Sequence, residues 1–435
     1  MPEHNATSKR EIRVLITRQA WDSALRPLLV QTDGFAVGPI QWRREGTVWE
    51  ALCSRLETTG QLPRGLARPP LDDWLVVVMQ GDTSLSASQW LLRCEPRRSQ
   101  RLIVVVLGTA DLSRWDAALW DREQLRDVME ITVVGGGGFR VERSGQDAPV
   151  MDPQTLERSS RTAGALGQRV FRRVGSSTVT IVGTGRLGSL LAFHMAGLGV
   201  SRLRLIDPDV LQWGNLDAMP GLTERDVGQP KAQALAKRLL AFRRQLLVSY
   251  VRRSAMDPEA QRVMRRRTDL IVTTVDDDAP RLCASLIAKQ MLTVHLDVAT
   301  QITREGDEPS EIRADIRLLT PDRDGGCVAC VGGLADVEHT LYQLGAPPGV
   351  LSRGEPIAWH QQRAGSLVTI NSIAVGVAVQ TWIDLLAGRL RSSYWHRLRW
   401  RPAAPLETAG SPVFAEPDCR FCQAVDEAST GRPAG

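Results

Sequence analysis

Apolar and polar positions divide the chain into two patterned regions. Before residue 150, short apolar runs at 13–16, 74–79, 102–107 and 131–134 predict strands. Amphipathic stretches at 19–29, 47–57 and 86–93 predict helices between them. The four glycines 135–138 predict a turn, and the polar run 142–156 has the composition of a linker. One or two helices are expected over 156–173. From 178 the pattern becomes regular: strands at 178–182, 203–206, 269–275 and 293–298, with helices at 187–198, 230–243 and after Ala279. Short apolar strands alternating with helical segments are the signature of a parallel, doubly wound sheet. Residues 300–307 are polar and predict a loop, 314–319 a strand, and the Gly/Pro-rich stretch 332–364 irregular chain. The apolar segment 366–390 is interrupted by Asn371, Gln380 and Asp384, which predicts a core or dimer-interface helix rather than a membrane span. The expectation is α/β throughout. A smaller α/β domain over 12–150 precedes a Rossmann-like, mostly parallel domain over 155–425, with residues 1–11 and 426–435 disordered.

Composition narrows this picture. A length of 435 residues favours two domains. The formal charge of +5 is small for that length. The arginines 252–253 and 265–267 have no aromatic residues interleaved, so they read as a solvated helix face and no nucleic-acid partner is expected. No run approaches ~18 uninterrupted apolar residues, and the first ten residues lack the apolar core of a secretory signal. A cytoplasmic protein without membrane attachment is the expectation. Lysine is scarce, occurring at Lys9, Lys231, Lys237 and Lys289.

Chemistry concentrates at three places. The strand at 178–182 runs into Gly183-Thr-Gly185-Arg-Leu-Gly188, a G-x-G-x-x-G turn that opens a helix. Such a turn lets backbone approach a phosphate and points free N–H groups of the helix start at the anion. Asp207 ends the next apolar strand, where a carboxylate can accept from a ribose hydroxyl. The default ligand of this fingerprint is a dinucleotide. Lys231 and the acidic cluster Asp276-Asp277-Asp278 shift the reading to ATP, because a triphosphate site needs a cation and a Mg²⁺ ligand that a hydride-transfer site does not. The third place is sulfur. Of seven cysteines, Cys327/Cys330 and Cys419/Cys422 form two C-x-x-C pairs, the spacing of a tetrahedral Cys₄ Zn²⁺ site, with a redox pair as the competing reading. Cys53 and Cys94 read as small core residues, and His295, like His194, as a packing residue.

Over about 158–425 these motifs, taken in order, resemble the MoeB/ThiF/HesA family of ubiquitin-activating-enzyme-like adenylyltransferases. Arg158-Ser-Ser-Arg161 with Gly167-Gln168 is similar to the family's opening segment. The glycine loop, Asp207-Pro-Asp209-Val … Asn215-Leu216, Asp226-Val-Gly-Gln-Pro-Lys231, Asp276 … Arg281 and the two cysteine knuckles follow in register. The resemblance implies that ATP and Mg²⁺ bind at the strand ends and that the C-terminal carboxylate of a small β-grasp, ubiquitin-like protein attacks the α-phosphorus. It assigns Gly183, Gly185 and Gly188 to the phosphates, Asp207 to the ribose with Asp209 beside it, Asn215 and Lys231 to phosphate oxygens, and Asp276 to Mg²⁺. Arg161 would reach the triphosphate of a partner subunit, which implies a homodimer. A conjugating enzyme or sulfur donor would follow. Two departures stand out. Ala218-Met219 occupies the place of the family's Arg-Gln, and residues 331–365 carry no cysteine that could take the acyl group. Cys283 is the remaining candidate nucleophile. The lost arginine makes a scaffold that binds a protein or peptide without turnover the competing function. The first domain resembles a JAB/MPN-type peptidase faintly, through 82–90 and Arg114-Trp115, without that family's zinc-binding histidines.

Overall fold

The computed structural model describes residues 11–28, 34–59, 73–80, 85–108, 115–136, 138, 140–142, 153–305, 308–335, 340 and 367–430. They fall into two compact units, one of residues 1–150 with 423–435 and one of 151–422.

The first unit is built on β1 (Glu11–Thr17), β2 (Gly34–Pro39), β3 (Gln41–Glu45), β4 (Val48–Cys53), β5 (Glu57–Thr59), β6 (Asp73–Gln80), β7 (Arg101–Gly108), β8 (Trp115–Asp121), β9 (Gln124–Val134) and β10 (Arg140–Glu142), with helices α1 (Arg18–Leu28) and α2 (Ala87–Arg93). The strands form one mixed sheet in the order β3-β4-β1-β9-β8-β7-β6-β2-β5, with β10 on β9. Segment 47–57, expected as a helix, is instead β4, parallel to β1 and antiparallel to β3. Ala51, Leu52 and Cys53 are buried there. A half-amphipathic run with Val48 and Trp49 at its start suits a pleated surface, and cross-strand packing overrides its helical periodicity. Helix α2 begins where its sequence says it should. Ser86 accepts from the Gln89 amide while the Gln89 side chain accepts from the Ser86 amide, a reciprocal cap. Cys53 and Cys94 are core residues, their thiols pushed up by burial to about 12 and about 11. The expected linker lies mainly at 143–152, outside the described residues. So do residues 82–84 and Arg114 of the JAB/MPN resemblance, His339, His360 and most of 332–364.

The second unit opens with α3 (Pro153–Leu166) and α4 (Gln168–Gly175), broken at Gly167, whose φ of 74° suits glycine. Then come β11 (Thr178–Val182), α5 (Arg186–Leu198), β12 (Arg202–Ile206), α6 (Lys231–Phe242), β13 (Leu247–Val251), α7 (Pro258–Met264), β14 (Leu270–Thr273), α8 (Asp278–Gln290), β15 (Val294–Glu305), β16 (Glu308–Leu319), α9 (Val368–Ala387), β17 (Tyr394–Trp400), β18 (Glu407–Pro412) and the first turn of α10 (Arg420–Thr430), whose residues from 423 fall in the first unit. The sheet order is β13-β12-β11-β14-β15-β16-β17-β18. Its first five strands are parallel, and the last three turn back antiparallel.

The antiparallel half corrects the sequence reading. Residues 300–305 are strand, not loop, because β15 continues into a long ladder with β16. Strands β17 and β18 carry too little apolar alternation to be expected at all. The tail expected to be disordered from 426 is helical to Thr430. The arginines 252–253 and 265–267 follow β13 and cap α7, so they line no helix face. Helix α9 is long and apolar enough in composition to cross a membrane. Here it packs on α5, β15 and β16, with Trp382, Ala374 and Val375 fully buried.

Candidate active site

The glycine loop lies between β11 and α5, and its three glycines do three different things. Gly183 sits at φ +89°, and a Cβ there would meet Val275 Cγ1 at 2.9 Å. At Gly188 a Cβ would fall 2.0 Å from the Gly183 carbonyl, so only glycine lets α5 close onto the loop. A Cβ on Gly185 would meet nothing within 4 Å, so this side of the turn is open. A tight turn, an open approach and a close helix contact are what a phosphate cradle requires, so the loop fits the group expected there.

Asp207 is 4% exposed at the end of β12. Its Oδ2 accepts from the Thr184 amide at 2.6 Å and the Thr184 hydroxyl at 3.0 Å, and its Oδ1 accepts from the Asp209 amide at 2.9 Å. Burial pushes this carboxyl up, while Lys231 and the two amides work against that shift. Its carboxylate thus joins the glycine loop to the Asp209 turn. Asp209 is more open, 44% exposed, and its Oδ2 accepts from Lys231 Nζ at 3.0 Å. Lys231 begins α6, and its amide donates to the Asp209 carbonyl at 2.9 Å. Asn215 caps a short 3-10 turn by accepting from the Gln212 amide at 3.0 Å. Arg186, at the start of α5, donates to the Gly214 carbonyl at 2.8 Å and pairs with Asp217 at 3.1 Å, which tethers the Asn215 segment to the glycine loop. The G-x-G-x-x-G pattern hides this cation, because the pattern leaves its position free.

Ala218 and Met219 are 3% and 2% exposed. Met219 packs with Leu211, Leu222 and Ala234 in a small apolar cluster. The place of the family's Arg-Gln pair is therefore filled by core. Arg161 is exposed on α3, and His194, expected in the core or at an interface, is exposed on α5 and so lies outside the core. Cys283 is 8% exposed, its thiol raised by burial to about 11, so it is a poor nucleophile.

Asp276 is exposed just past β14. Behind it lies a buried network with one visible clue in the sequence, Asp297 in the apolar strand 293–298. Asp297 accepts from Thr273 Oγ1 at 2.7 Å and Arg317 Nη1 at 2.8 Å, and pairs with Arg281 Nε at 3.0 Å. Burial raises the Asp297 carboxyl, but Arg281 and Arg317 outweigh it and hold the group below its usual range. Arg281 also donates to the carbonyls of Val275 at 2.8 Å and Gly333 at 2.9 Å, and to Asp278 at 3.0 Å. One guanidinium thus ties the strand end beside Asp276 to α8 and to the loop after the first cysteine knuckle. His295 is fully buried against Thr273 at 2.9 Å, as a packing residue should be.

The four knuckle cysteines converge. Sγ separations are 3.8 Å for Cys327–Cys330, 3.7 Å for Cys327–Cys419 and 3.7 Å for Cys330–Cys422. All four sulfurs lie within 4.8 Å of one another. A tetrahedron with Zn–S bonds of about 2.3 Å has edges of about 3.8 Å, so the donor set fits Zn²⁺. Leu319, Val328, Val413 and Phe421 pack around it.

The protein-family model for the ThiF family matches residues 158–404. The sulfur carrier protein ThiS adenylyltransferase of Escherichia coli (strain K12) is 25% identical over 240 residues, 54% of this chain and 85% of that protein. The adenylyltransferase and sulfurtransferase MOCS3 of Mus musculus is 29% identical over 194 residues, 43% of this chain and 39% of that protein. The chain thus spans most of the first relative and well under half of the second. Among solved structures, that of E. coli MccB with ATP is similar at 17% identity, covering 61% of this chain and 74% of that one, with a TM-score of 0.45.

Proposed function

The chain belongs to the ThiF family, and from that premise we propose that it adenylates the C-terminal carboxylate of a small ubiquitin-like protein or peptide. One carboxylate oxygen forms a bond to the α-phosphorus of ATP, the α–β phosphoanhydride bond breaks, and pyrophosphate leaves with the electron pair. The observation that carries this reading is the convergence of an open glycine turn, the Asp209–Lys231 pair and Asp276 at the ends of adjacent strands. Carboxylate attack on a phosphate sets like charge against like, so fixed cations and oriented N–H groups must absorb what develops.

In this reading Gly183, Gly185 and Gly188 cradle phosphate by backbone. Asp207 meets the ribose, with Asp209 beside it. Lys231 leaves Asp209 for a phosphate oxygen, and Asn215 lies on the segment that Arg186 tethers. Asp276 would hold Mg²⁺, which supplies charge neutralisation at the triphosphate. Arg161 belongs to the proposal through a homodimer, in which a second copy would present it. The first unit is proposed as a recognition domain, and the JAB/MPN likeness stays within that proposal.

A second reading is favoured by one observation. Ala218 and Met219 are core, so a cation of the family's site is gone and the fold has closed over its place. The chain would then bind a peptide tail without turnover. Titration with ATP and Mg²⁺, followed by pyrophosphate exchange with a β-grasp protein encoded beside this one, separates the two. Exchange that Asp276→Ala abolishes supports adenylation. Partner binding without exchange, with or without ATP bound, supports the scaffold, and neither exchange nor partner binding overturns both.

A further inference from the structure

Helix α8 turns one face toward the sulfur cluster. Leu282 and Leu286 pack against the cysteines, and Ser285 Oγ accepts from the Val328 amide at 3.1 Å, inside the first knuckle. Lys289 shares that face, because residues three and four apart are neighbours on a helix. It is 6% exposed. Its Nζ donates to the carbonyls of Asp322 at 3.1 Å and Arg323 at 3.3 Å, just before Cys327. Among the described residues no carboxylate pairs with it.

A buried cation without an anion is unfavourable. The two carbonyls solvate Lys289, and the C-terminal end of α8 favours a cation, but neither carries a net charge. Four thiolates around one Zn²⁺ do, since they make a doubly negative centre. The Cys422 thiol feels Cys327 first, then Cys330 and its own burial, and then the Lys289 charge, which favours the thiolate. The Cys330 sulfur has only a neutral donor besides its fellow cysteines, the Glu416 amide at 3.4 Å.

We propose, resting on the reading of the four cysteines as a Zn²⁺ site, that Lys289 is the counter-charge of that centre. The lysine and the metal site then solve one problem together. The doubly negative cluster sits among apolar side chains because a cation lies beside it, and the cation is buried because the cluster matches it. Lysine is scarce in this chain, and here its compact ammonium reaches two successive carbonyls where a planar guanidinium would need more room. Lys289 is thus a positioning residue that governs how firmly the metal is held, and it is independent of the adenylation reading.

The test compares two neutral replacements in the full chain. Lys289→Met loses both charge and donor, whereas Lys289→Gln keeps a donor for the carbonyls. Zinc affinity is read by competition with a chelating dye. Cobalt substitution reads the site itself: its visible d–d bands report tetrahedral geometry, and its near-ultraviolet band reports charge transfer from thiolate to metal. Both variants should bind zinc about 10–100-fold more weakly than the parent chain. The charge-transfer band should move to longer wavelength in both, because a thiolate without a cation beside it gives up an electron more readily, while the d–d bands stay in place. The proposal is overturned if Lys289→Gln binds zinc within about threefold of the parent chain, short of the effect of an outer-shell partner. It is overturned equally if the charge-transfer band does not move, or if neither variant folds with zinc bound, which would make Lys289 a residue of the fold at large. A parent chain that takes up neither zinc nor cobalt ends the zinc reading itself, and this proposal with it.

Discussion

The parallel and antiparallel halves of the second unit's sheet are built by opposite rules. In the parallel half, β11, β12 and β14 are almost wholly buried, with Thr180 and Arg204 among the buried residues. Crossover helices cover both faces of the central parallel strands, while the edge strand β13 stays largely open. Their polar chemistry is pushed to the strand ends, where the glycine loop, Asp207 and Asp276 sit. In the antiparallel half, β16 runs from exposed to buried, and β18 is exposed along its whole length. Its cohesion is a lattice of charge and aromatic contact. Asp315 accepts from Trp395 Nε1 at 2.9 Å and pairs with Arg397 at 3.0 Å and Arg313 at 3.0 Å, while Arg397 lies 4.2 Å over the Trp395 ring. In the proposed reading, the parallel half offers a nucleotide its strand ends.

The strongest way to break this contrast is through sulfur. The knuckles tie the loop after β16 to the segment after β18, so Cys419→Ser, or a chelator, should cost several kcal/mol. Zinc content should fall with the first thermal transition. A preserved transition in metal-free protein would show that the ion ladder alone holds the antiparallel half. On the parallel half, Asp276→Ala and Lys231→Ala should each lower pyrophosphate exchange by about 10²–10³-fold. Glu311→Gln, in the outer ion ladder, should leave exchange within a factor of about two, since exposed ion pairs contribute ~0–1 kcal/mol. Gly188→Ala would set a methyl group 2.0 Å from a backbone carbonyl. It should destabilise by about 1–3 kcal/mol and weaken ATP binding in calorimetry. Ala218→Arg, designed to restore the family's cation, should also cost about 1–3 kcal/mol by overfilling an apolar site; a gain in exchange without loss of stability would show that the Met219 cluster can open.

A pH dependence is also expected at His295. Burial chiefly, with Arg281 and Arg317, lowers this imidazole from 6.5 to about 4, against the opposing pull of Asp297. The unfolded chain therefore binds the proton first. The contribution to stability is complete above pH 6.5 and is lost as pH falls from 6.5 towards 4, with about 1 kcal/mol gone by pH 5.5. His295→Gln should flatten that window in denaturant titrations at stepped pH.

Several features are legible in the chain without coordinates. Apolar runs place β11, β12, β14 and the start of β15, because strands buried on both faces are rich in branched apolar residues. The glycine spacing marks the cradle, because no other residue fits at Gly188. The paired C-x-x-C spacing marks the sulfur cluster, because its ligands must come in twos from tight loops. Tertiary structure decides the rest. It makes 47–57 a strand through pairing with β1 and β3, and it extends β15 through a polar stretch by a ladder no local signal announces. It also joins Asp207 through Oδ2 to Thr184 of the loop and through Oδ1 to the Asp209 amide. Above all it gathers Asp297, Arg281 and Arg317 from three separate segments, because charges far apart in sequence meet only once the apolar strands have fixed where each element ends.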